Sequence, residues 1–152
     1  MQEQAWPRNF SYPDPEKVAQ MPANILVIED DPASLELLKY LLQRAGHSVA
    51  TATDGDAGLK AALGNEFDIV FCDLQLPELS GLQVAARLRA TPVWRVVPLV
   101  AVTAYSMPGD RDTAIAAGFT EYLTKPIEPE SILGKVDQLL PPQLRSLATV
   151  VF

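Results

Sequence analysis

Short apolar runs alternate with longer amphipathic stretches along most of this chain. The runs that predict strands are Ile25 to Ile28, Ser48 to Ala52, Ile69 to Cys72, Leu99 to Val102 and Glu121 to Leu123. Three of them are continuously apolar, which is typical of strands that are covered on both faces of a sheet. The regular alternation of strands with helical stretches predicts βαβ units and a parallel sheet.

Five helices are predicted between and after these strands. The first begins with Asp31 as N-cap and Pro32 at the first helical position, and Gly46 ends it. The others run from about Asp54 to Leu63, from Ser80 or Gly81 to Ala90, from Pro108 to Ala117, and from near Pro129 to Leu140. Together these elements predict one doubly wound α/β domain, a (βα)5 unit with helices on both faces of a five-stranded parallel sheet.

The two ends of the chain lack the regular alternation of strand and helix patterns found between them. Residues 1–22 hold four prolines, together with Trp6, Phe10 and Tyr12, and show no sustained period, so we expect an extended arm or linker. We expect the domain itself to span residues 23–141 and a short tail to span 142–152. The arm has neither the basic start nor the apolar run of a signal peptide, and no apolar stretch reaches the roughly 20 residues of a membrane span. A cytoplasmic protein without membrane contact is therefore expected.

Composition and charge narrow the function classes. A chain of 152 residues, 48% of them apolar, can bury one good core. Its net charge of −7 argues against direct binding of nucleic acid, which requires clustered basic residues. The lone Cys72 excludes an intramolecular disulfide and is predicted to be a core residue. The single histidine, His47, is predicted to be solvated or to cap the preceding helix, and Trp94 to be a packing or surface aromatic.

Polar residues directly follow four of the predicted strands. Glu29, Asp30 and Asp31 follow the first, Asp73 the third, Thr103 the fourth, and Thr124-Lys125-Pro126 the fifth. The ligand site of an open α/β sheet lies at the carboxyl ends of its strands, so these side chains are expected to meet.

Three carboxylates gathered at one edge need a cation. If their carboxylates lie a few Å apart in a partly buried setting, Glu29, Asp30 and Asp73 repel one another by an energy on the order of several kcal/mol. Mg²⁺ suits such an oxygen-only cluster, and Lys125 supplies a further positive charge. A neutralised carboxylate beside a metal and a lysine is well placed to attack phosphorus. Asp73 stands alone at its strand end and is the best candidate nucleophile, while Thr103 offers a hydroxyl to a phosphoryl oxygen.

These residues fall in segments that resemble the response-regulator receiver family of two-component signalling. The matching segments are Ile25 to Asp31, Phe71 to Pro77 followed by Gly81, Val102 to Ala104, and Tyr122 to Pro126. The resemblance implies the sheet order 2-1-3-4-5.

The same resemblance implies a role for each site residue. Asp73 would carry the phosphoryl group, and Glu29 and Asp30 would form the acidic pair for Mg²⁺, with the Gln75 backbone carbonyl as a further ligand. Thr103 resembles the switch hydroxyl and Lys125 the cation that pairs with phosphate, with a cis bond to Pro126. Tyr122 resembles the aromatic switch that turns inward when Thr103 moves.

Partners follow from the same resemblance. A histidine kinase or histidine phosphotransfer protein would supply the phosphoryl group, and a downstream protein target would respond. A candidate output face combines helix four, strand five and helix five, with Tyr105, Met107, Arg111, Tyr122 and Lys135 on or near it. The aromatic residues of the arm are a second candidate contact, including one within a homodimer. A stand-alone regulator and a receiver excised from a hybrid kinase both remain open.

Two other functions compete with the phospho-acceptor switch. A haloacid-dehalogenase-like hydrolase would also use an aspartyl phosphate, but it places a second acid two residues after the nucleophile, where this chain has Gln75. The other alternative is a binding module that has lost phosphorylation, although all the chemical residues are present. Acetyl phosphate with Mg²⁺ distinguishes the three, because a switch takes up one phosphoryl group, an enzyme turns over and an inert module does not react.

Overall fold

The fold is a five-stranded parallel sheet with helices on both faces, in a computed structural model that describes residues 22–104, 106–141 and 144. The strands are β1 (Asn24–Ile28), β2 (Ser48–Ala52), β3 (Ile69–Cys72), β4 (Leu99–Thr103) and β5 (Glu121–Thr124). The helices are α1 (Pro32–Arg44), α2 (Gly55–Leu63), α3 (Gly81–Arg89), α4 (Asp110–Ala117) and α5 (Pro129–Leu139), and a 3-10 turn covers Pro92–Trp94. The strand order is β2-β1-β3-β4-β5, which confirms the predicted doubly wound fold and its order.

Two hydrophobic clusters lie on opposite faces of the sheet. Successive strand residues point to opposite faces, so in β1 Leu26 and Ile28 join one cluster while Ile25 and Val27 join the other. The first cluster packs against α2, α3 and α4, and the second against α1 and α5. Every residue of β3 and β4 is buried, as expected for central strands covered on both faces. Cys72 belongs to the first cluster and is 2% exposed, which confirms its predicted core role.

Local capping determines where most helices begin. Asp31 accepts a hydrogen bond from the Ser34 amide at 3.0 Å, and Asp54 accepts one from the Ala57 amide at 2.7 Å. Ser80 caps α3, confirming the later of the two predicted starts. Helix α4 begins at Asp110 and not at the predicted Pro108, because Gly109 has a left-handed φ of 93° that a helix cannot include.

His47 differs from its prediction in one respect. Its amide donates to the Leu42 carbonyl at 3.1 Å, and the Gly46 amide donates to the Gln43 carbonyl at 2.9 Å, so the backbone caps α1 as predicted. The imidazole is only 6% exposed, so the prediction of a solvated side chain is wrong. Its Nδ1 accepts a hydrogen bond from the Ala23 amide at 3.1 Å, a contact across 24 residues that local pattern does not reveal.

The loops at the amino-terminal end of β4 are held together by Arg89. Its guanidinium donates to the carbonyl oxygens of Trp94, Val97 at 2.7 Å and Gly118 at 2.8 Å, and to Thr120 Oγ1 at 3.2 Å. Trp94 is 4% exposed and packs in the first cluster, which agrees with its predicted packing role. One side chain therefore fixes the end of α3 to the connection between α3 and β4 and to the connection between α4 and β5.

Several predicted features lie outside the described residues. These are nearly all of the arm, including Trp6, Phe10 and Tyr12, then Tyr105, and the tail apart from Leu144. Leu144 packs against the second cluster. None of the described helices is long and apolar enough to span a bilayer.

Candidate metal and phosphoryl site

The carboxyl ends of the strands form an open cleft of about 680 Å³. Its walls come from the ends of β1 and β3, the loop between β3 and α3, the residue after β4 and the residue after β5. The lining residues are Asp30, Asp31, Asp73, Leu74, Gln75, Leu76, Pro77, Ser80, Ala104 and Lys125. The cleft lies where sequence and topology predicted a ligand site.

Three carboxylates meet beside this cleft, and two of them, Asp30 and Asp73, line it. Glu29, Asp30 and Asp73 each offer an oxygen, and these oxygens lie within 4.8 Å of one another. Glu29 is 1% exposed and Asp73 is 6% exposed, whereas Asp30 faces solvent. Burial raises the pKa of Glu29, and the neighbouring Asp73 carboxylate adds to this, while Lys125 and the Asp31 amide oppose it. The cluster is therefore an electrostatically costly arrangement that favours a bound cation.

Lys125 lies between two of the three carboxylates. Its Nζ is 2.8 Å from Glu29 Oε1 and 2.8 Å from Asp73 Oδ2. Burial alone would lower the pKa of Lys125, but its close contacts with the Asp73 and Glu29 carboxylates outweigh this effect, so the pKa is raised and the ammonium stays charged. The Lys125–Pro126 peptide bond is cis, as the resemblance implied. The single ammonium group of Lys125 thus offsets part of the negative charge, and the cluster keeps a net negative charge.

The donor set fits a hard divalent metal ion. Glu29 Oε1 accepts no aligned hydrogen bond among the described residues, so its contact with Lys125 is an ion pair that leaves lone-pair capacity. Asp30 lines the open side of the cleft, where water can complete a coordination shell. Mg²⁺ prefers carboxylate and water oxygens of this kind. The three carboxylates can therefore hold a metal ion.

The loop after β3 packs closely against the start of α3. The Gln75 amide donates to Asp73 Oδ1 at 3.1 Å, which orients that carboxylate. A side chain at Gly81 would place its Cβ 2.1 Å from the Asp73 carbonyl oxygen, so only glycine lets α3 begin so close to the strand end. Glu78 has a left-handed φ of 72°, which the sequence did not predict because glutamate rarely adopts it.

Thr103 and Tyr122 were both predicted as switch residues. They differ in burial, since Thr103 is fully buried and Tyr122 is half-buried. Thr103 is fully buried at the end of β4, opposite Thr124 of β5, and its carbonyl accepts the Lys125 amide at 2.8 Å. Ala104, and not Thr103, lines the cleft. Tyr122 lies opposite Ala101 and packs, half-buried, against the first cluster. Burial and then the Asp110 carboxylate raise the pKa of Tyr122.

Sequence reasoning identified most of the cleft but missed some of its members. Asp31 was assigned only as a helix cap, yet it also lines the cleft. Leu74 to Pro77 were predicted to form an open loop over the site, and they line the cleft, whereas Ser80 was assigned only as a possible helix start.

Comparison with known proteins identifies the family. Residues 25–137 match the family described as response regulator receiver domain. The alkaline phosphatase synthesis transcriptional regulatory protein PhoP of Bacillus subtilis is 33% identical over 120 residues, 79% of this chain and 49% of that protein. The chain thus spans about half the length of this relative.

Two solved structures are similar over most of the chain. One is the receiver domain of sensor histidine kinase PA1611 from Pseudomonas aeruginosa, with a magnesium ion coordinated in its active site cleft; the TM-score is 0.73 at 28% identity, covering 78% of this chain and 98% of that one. The other is the co-crystal structure of the Saccharomyces cerevisiae histidine phosphotransfer signaling protein Ypd1 with the receiver domain of its downstream response regulator Ssk1. There the TM-score is 0.72 at 26% identity, covering 78% of this chain and 88% of that one.

Proposed function

The chain belongs to the response regulator receiver domain family and is a phospho-acceptor of two-component signalling, and from this premise we propose that Asp73 carries the phosphoryl group. The observation that carries the assignment is the position of Asp73 at the base of the cleft, 2.8 Å from the Lys125 ammonium. Glu29 does not line the cleft and Asp30 is not paired with Lys125, so neither is placed as well for attack. The proposed receiver unit spans residues 23–141, between the arm and the tail.

The chemistry is a single phosphoryl transfer. An Asp73 carboxylate oxygen forms a bond to phosphorus, the bond from phosphorus to the donor breaks, and its electron pair leaves with the donor. Asp73 Oδ1 is held by the Gln75 amide and Oδ2 by Lys125, so the nucleophile is already oriented. Lys125 then pairs with an oxygen of the new acyl phosphate through a charge-assisted hydrogen bond.

We assign the metal site to Glu29, Asp30, Asp73 and the Gln75 backbone carbonyl. Mg²⁺ held there would offset the charge of the transferring phosphoryl group. The support is the convergence of three carboxylate oxygens within 4.8 Å at an open cleft that one lysine does not neutralise. The related PA1611 receiver domain has a magnesium ion coordinated in its cleft, which agrees with this assignment.

Thr103 is proposed to couple phosphorylation to the surface. It is buried beside the backbone of Lys125 at the end of β4, so movement of its hydroxyl toward the phosphoryl group would disturb the packing around it. Tyr122 on the next strand is only half-buried and is the proposed responder.

The proposed phosphodonor is a histidine kinase or a histidine phosphotransfer protein, and the proposed output is altered protein association. We propose that the exchange takes place in the cytoplasm. The output face of α4, β5 and α5 carries Met107, which is 71% exposed, with Arg111, and Lys135 lies 3.4 Å from Glu121 there. A downstream target protein or a second copy of this chain would bind that face.

Phosphorylation with acetyl phosphate and Mg²⁺ tests the assignment. The wild-type chain should take up one phosphoryl group, Asp73→Asn should take up none, and Asp112→Asn, which removes an exposed carboxylate on α4, should behave as wild type. Mass spectrometry of the intact protein measures the uptake. Label on another residue of Asp73→Asn would overturn the assignment. Many turnovers of phosphate release would favour the hydrolase, and no uptake by wild type would favour the inert module.

A further inference from the structure

The chain enters β1 through an unusual contact at the amino-terminal end of the sheet, far from the cleft. The Ala23 amide donates to Nδ1 of the buried His47 imidazole at 3.1 Å. Neighbouring backbone is secured by other groups, since the Ser48 amide donates to the Ala23 carbonyl at 2.9 Å and the Asn24 amide donates to Asp68 Oδ2 at 2.7 Å. Ala23 itself is fully buried. Its amide therefore depends on the imidazole as its acceptor.

This hydrogen bond fixes the protonation state of His47. Because Nδ1 accepts the bond, it has no proton, and the neutral ring must carry its proton on Nε2. Nε2 is buried and has no hydrogen-bond partner among the described residues. A protonated ring would turn Nδ1 into a second donor that faces the Ala23 amide. The latched arrangement and the imidazolium ion are therefore mutually exclusive.

We propose that His47 is an acid-sensitive latch, whose protonation releases the Ala23 amide at the start of β1. The released state is one in which the imidazole reaches water and the start of β1 is free of the ring. The latch therefore controls how firmly Ala23, directly before β1, is held.

Burial and two nearby carboxylates act on the pKa of His47 in opposite directions. Burial lowers the pKa of His47 below its usual value, and Asp137 on α5 and Asp68 before β3 oppose that effect without overcoming it. A lowered pKa means that the latched state excludes a proton that the released state binds below about pH 6.5. Latch stability is therefore present above that pH and falls as the pH drops toward the lowered value.

Amide hydrogen exchange of the full chain between pH 5 and 7.5 tests the latch. After correction for the intrinsic pH dependence, protection of the Ala23 amide should fall by up to ten-fold for each pH unit below about 6.5. The Phe71 amide in β3 reports global opening and should keep its protection over the same range. Parallel loss at both amides would refute a local latch.

Two substitutions distinguish the role of His47 as a hydrogen-bond acceptor from the effect of its protonation. His47→Asn places an amide oxygen near the position of Nδ1 and does not titrate, so Ala23 should stay protected at every pH. His47→Gln places its amide near Nε2 instead, so Ala23 should exchange rapidly at every pH. The same pH dependence in His47→Asn as in wild type would overturn the proposal. If either variant fails to fold, the wild-type chain still decides, because a His47 ring that titrates in NMR spectra while Ala23 stays protected excludes the latch.

Discussion

Replacing Asp30 with asparagine should have opposite effects on the metal-free and the metal-bound protein. Asp30 is the exposed member of the three-carboxylate cluster and makes no ion pair with Lys125. Its charge is repelled by Glu29 and Asp73 when no metal is bound, but it becomes a ligand when Mg²⁺ is present. Asp30→Asn should therefore stabilise the metal-free fold and weaken Mg²⁺ binding.

The distances determine the size of both effects. Two unit charges separated by 4.8 Å, the outer limit in this cluster, repel by about 0.9 kcal/mol in water and about 3.5 kcal/mol at an effective dielectric constant near 20. Asp30 faces solvent, so the lower value applies, and attraction to Lys125 offsets part of it. We expect a net gain of about 1 kcal/mol in the free energy of unfolding without metal. Loss of one carboxylate ligand should weaken Mg²⁺ binding at least ten-fold, about 1.4 kcal/mol.

Urea unfolding in EDTA measures the stability of the metal-free protein, and urea unfolding in saturating Mg²⁺ measures the stability that metal binding adds. Metal that binds only the folded state adds stability according to its concentration relative to Kd. Asp30→Asn should be more stable than wild type in EDTA and should lose that advantage in Mg²⁺. Asp31→Asn is the matched control, since it removes the next carboxylate while asparagine still caps α1. The reasoning is refuted if Asp30→Asn is less stable in EDTA, or if Mg²⁺ stabilises it as much as it stabilises wild type.

Two further substitutions test the switch and the scaffold. Thr103→Ala should still accept phosphate, but phosphorylation should no longer change amide exchange in α4; a change as large as that of wild type would show that Thr103 is not the coupler. Arg89→Ala leaves several loop carbonyls without their donor and should lower the free energy of unfolding by about 3 kcal/mol, whereas Arg87→Ala, exposed on the same helix, should change it by less than about 0.5 kcal/mol. Equal losses in urea unfolding would contradict the role given to Arg89.

The position of the site on the sheet could be predicted from local sequence pattern. Asp73 and Thr103 directly follow or end apolar runs, and parallel strands bring such positions to one edge whatever the details of packing. The sequence alone therefore predicts that the three carboxylates and Lys125 meet, and they do. The family resemblance added the strand order and the individual roles, of which the structure shows the order.

Other features were outside the reach of pattern. The left-handed Gly109 delays α4 by two residues, although Pro108 is a favourable helix start. The contacts of Arg89 cross to Gly118 and Thr120, and no spacing rule relates residues about 30 positions apart.

By itself, the sequence determined the alternation of strands and helices, the two-faced core and the identity of the acidic cluster, because these depend on side-chain period and on strand ends. Only the tertiary structure decided that Thr103 is fully buried and that His47 accepts a hydrogen bond from the Ala23 amide. The physical reason is that burial and hydrogen-bond partners depend on which distant segments pack around a residue. A histidine after a glycine has the same local pattern whether its ring faces water or the start of β1.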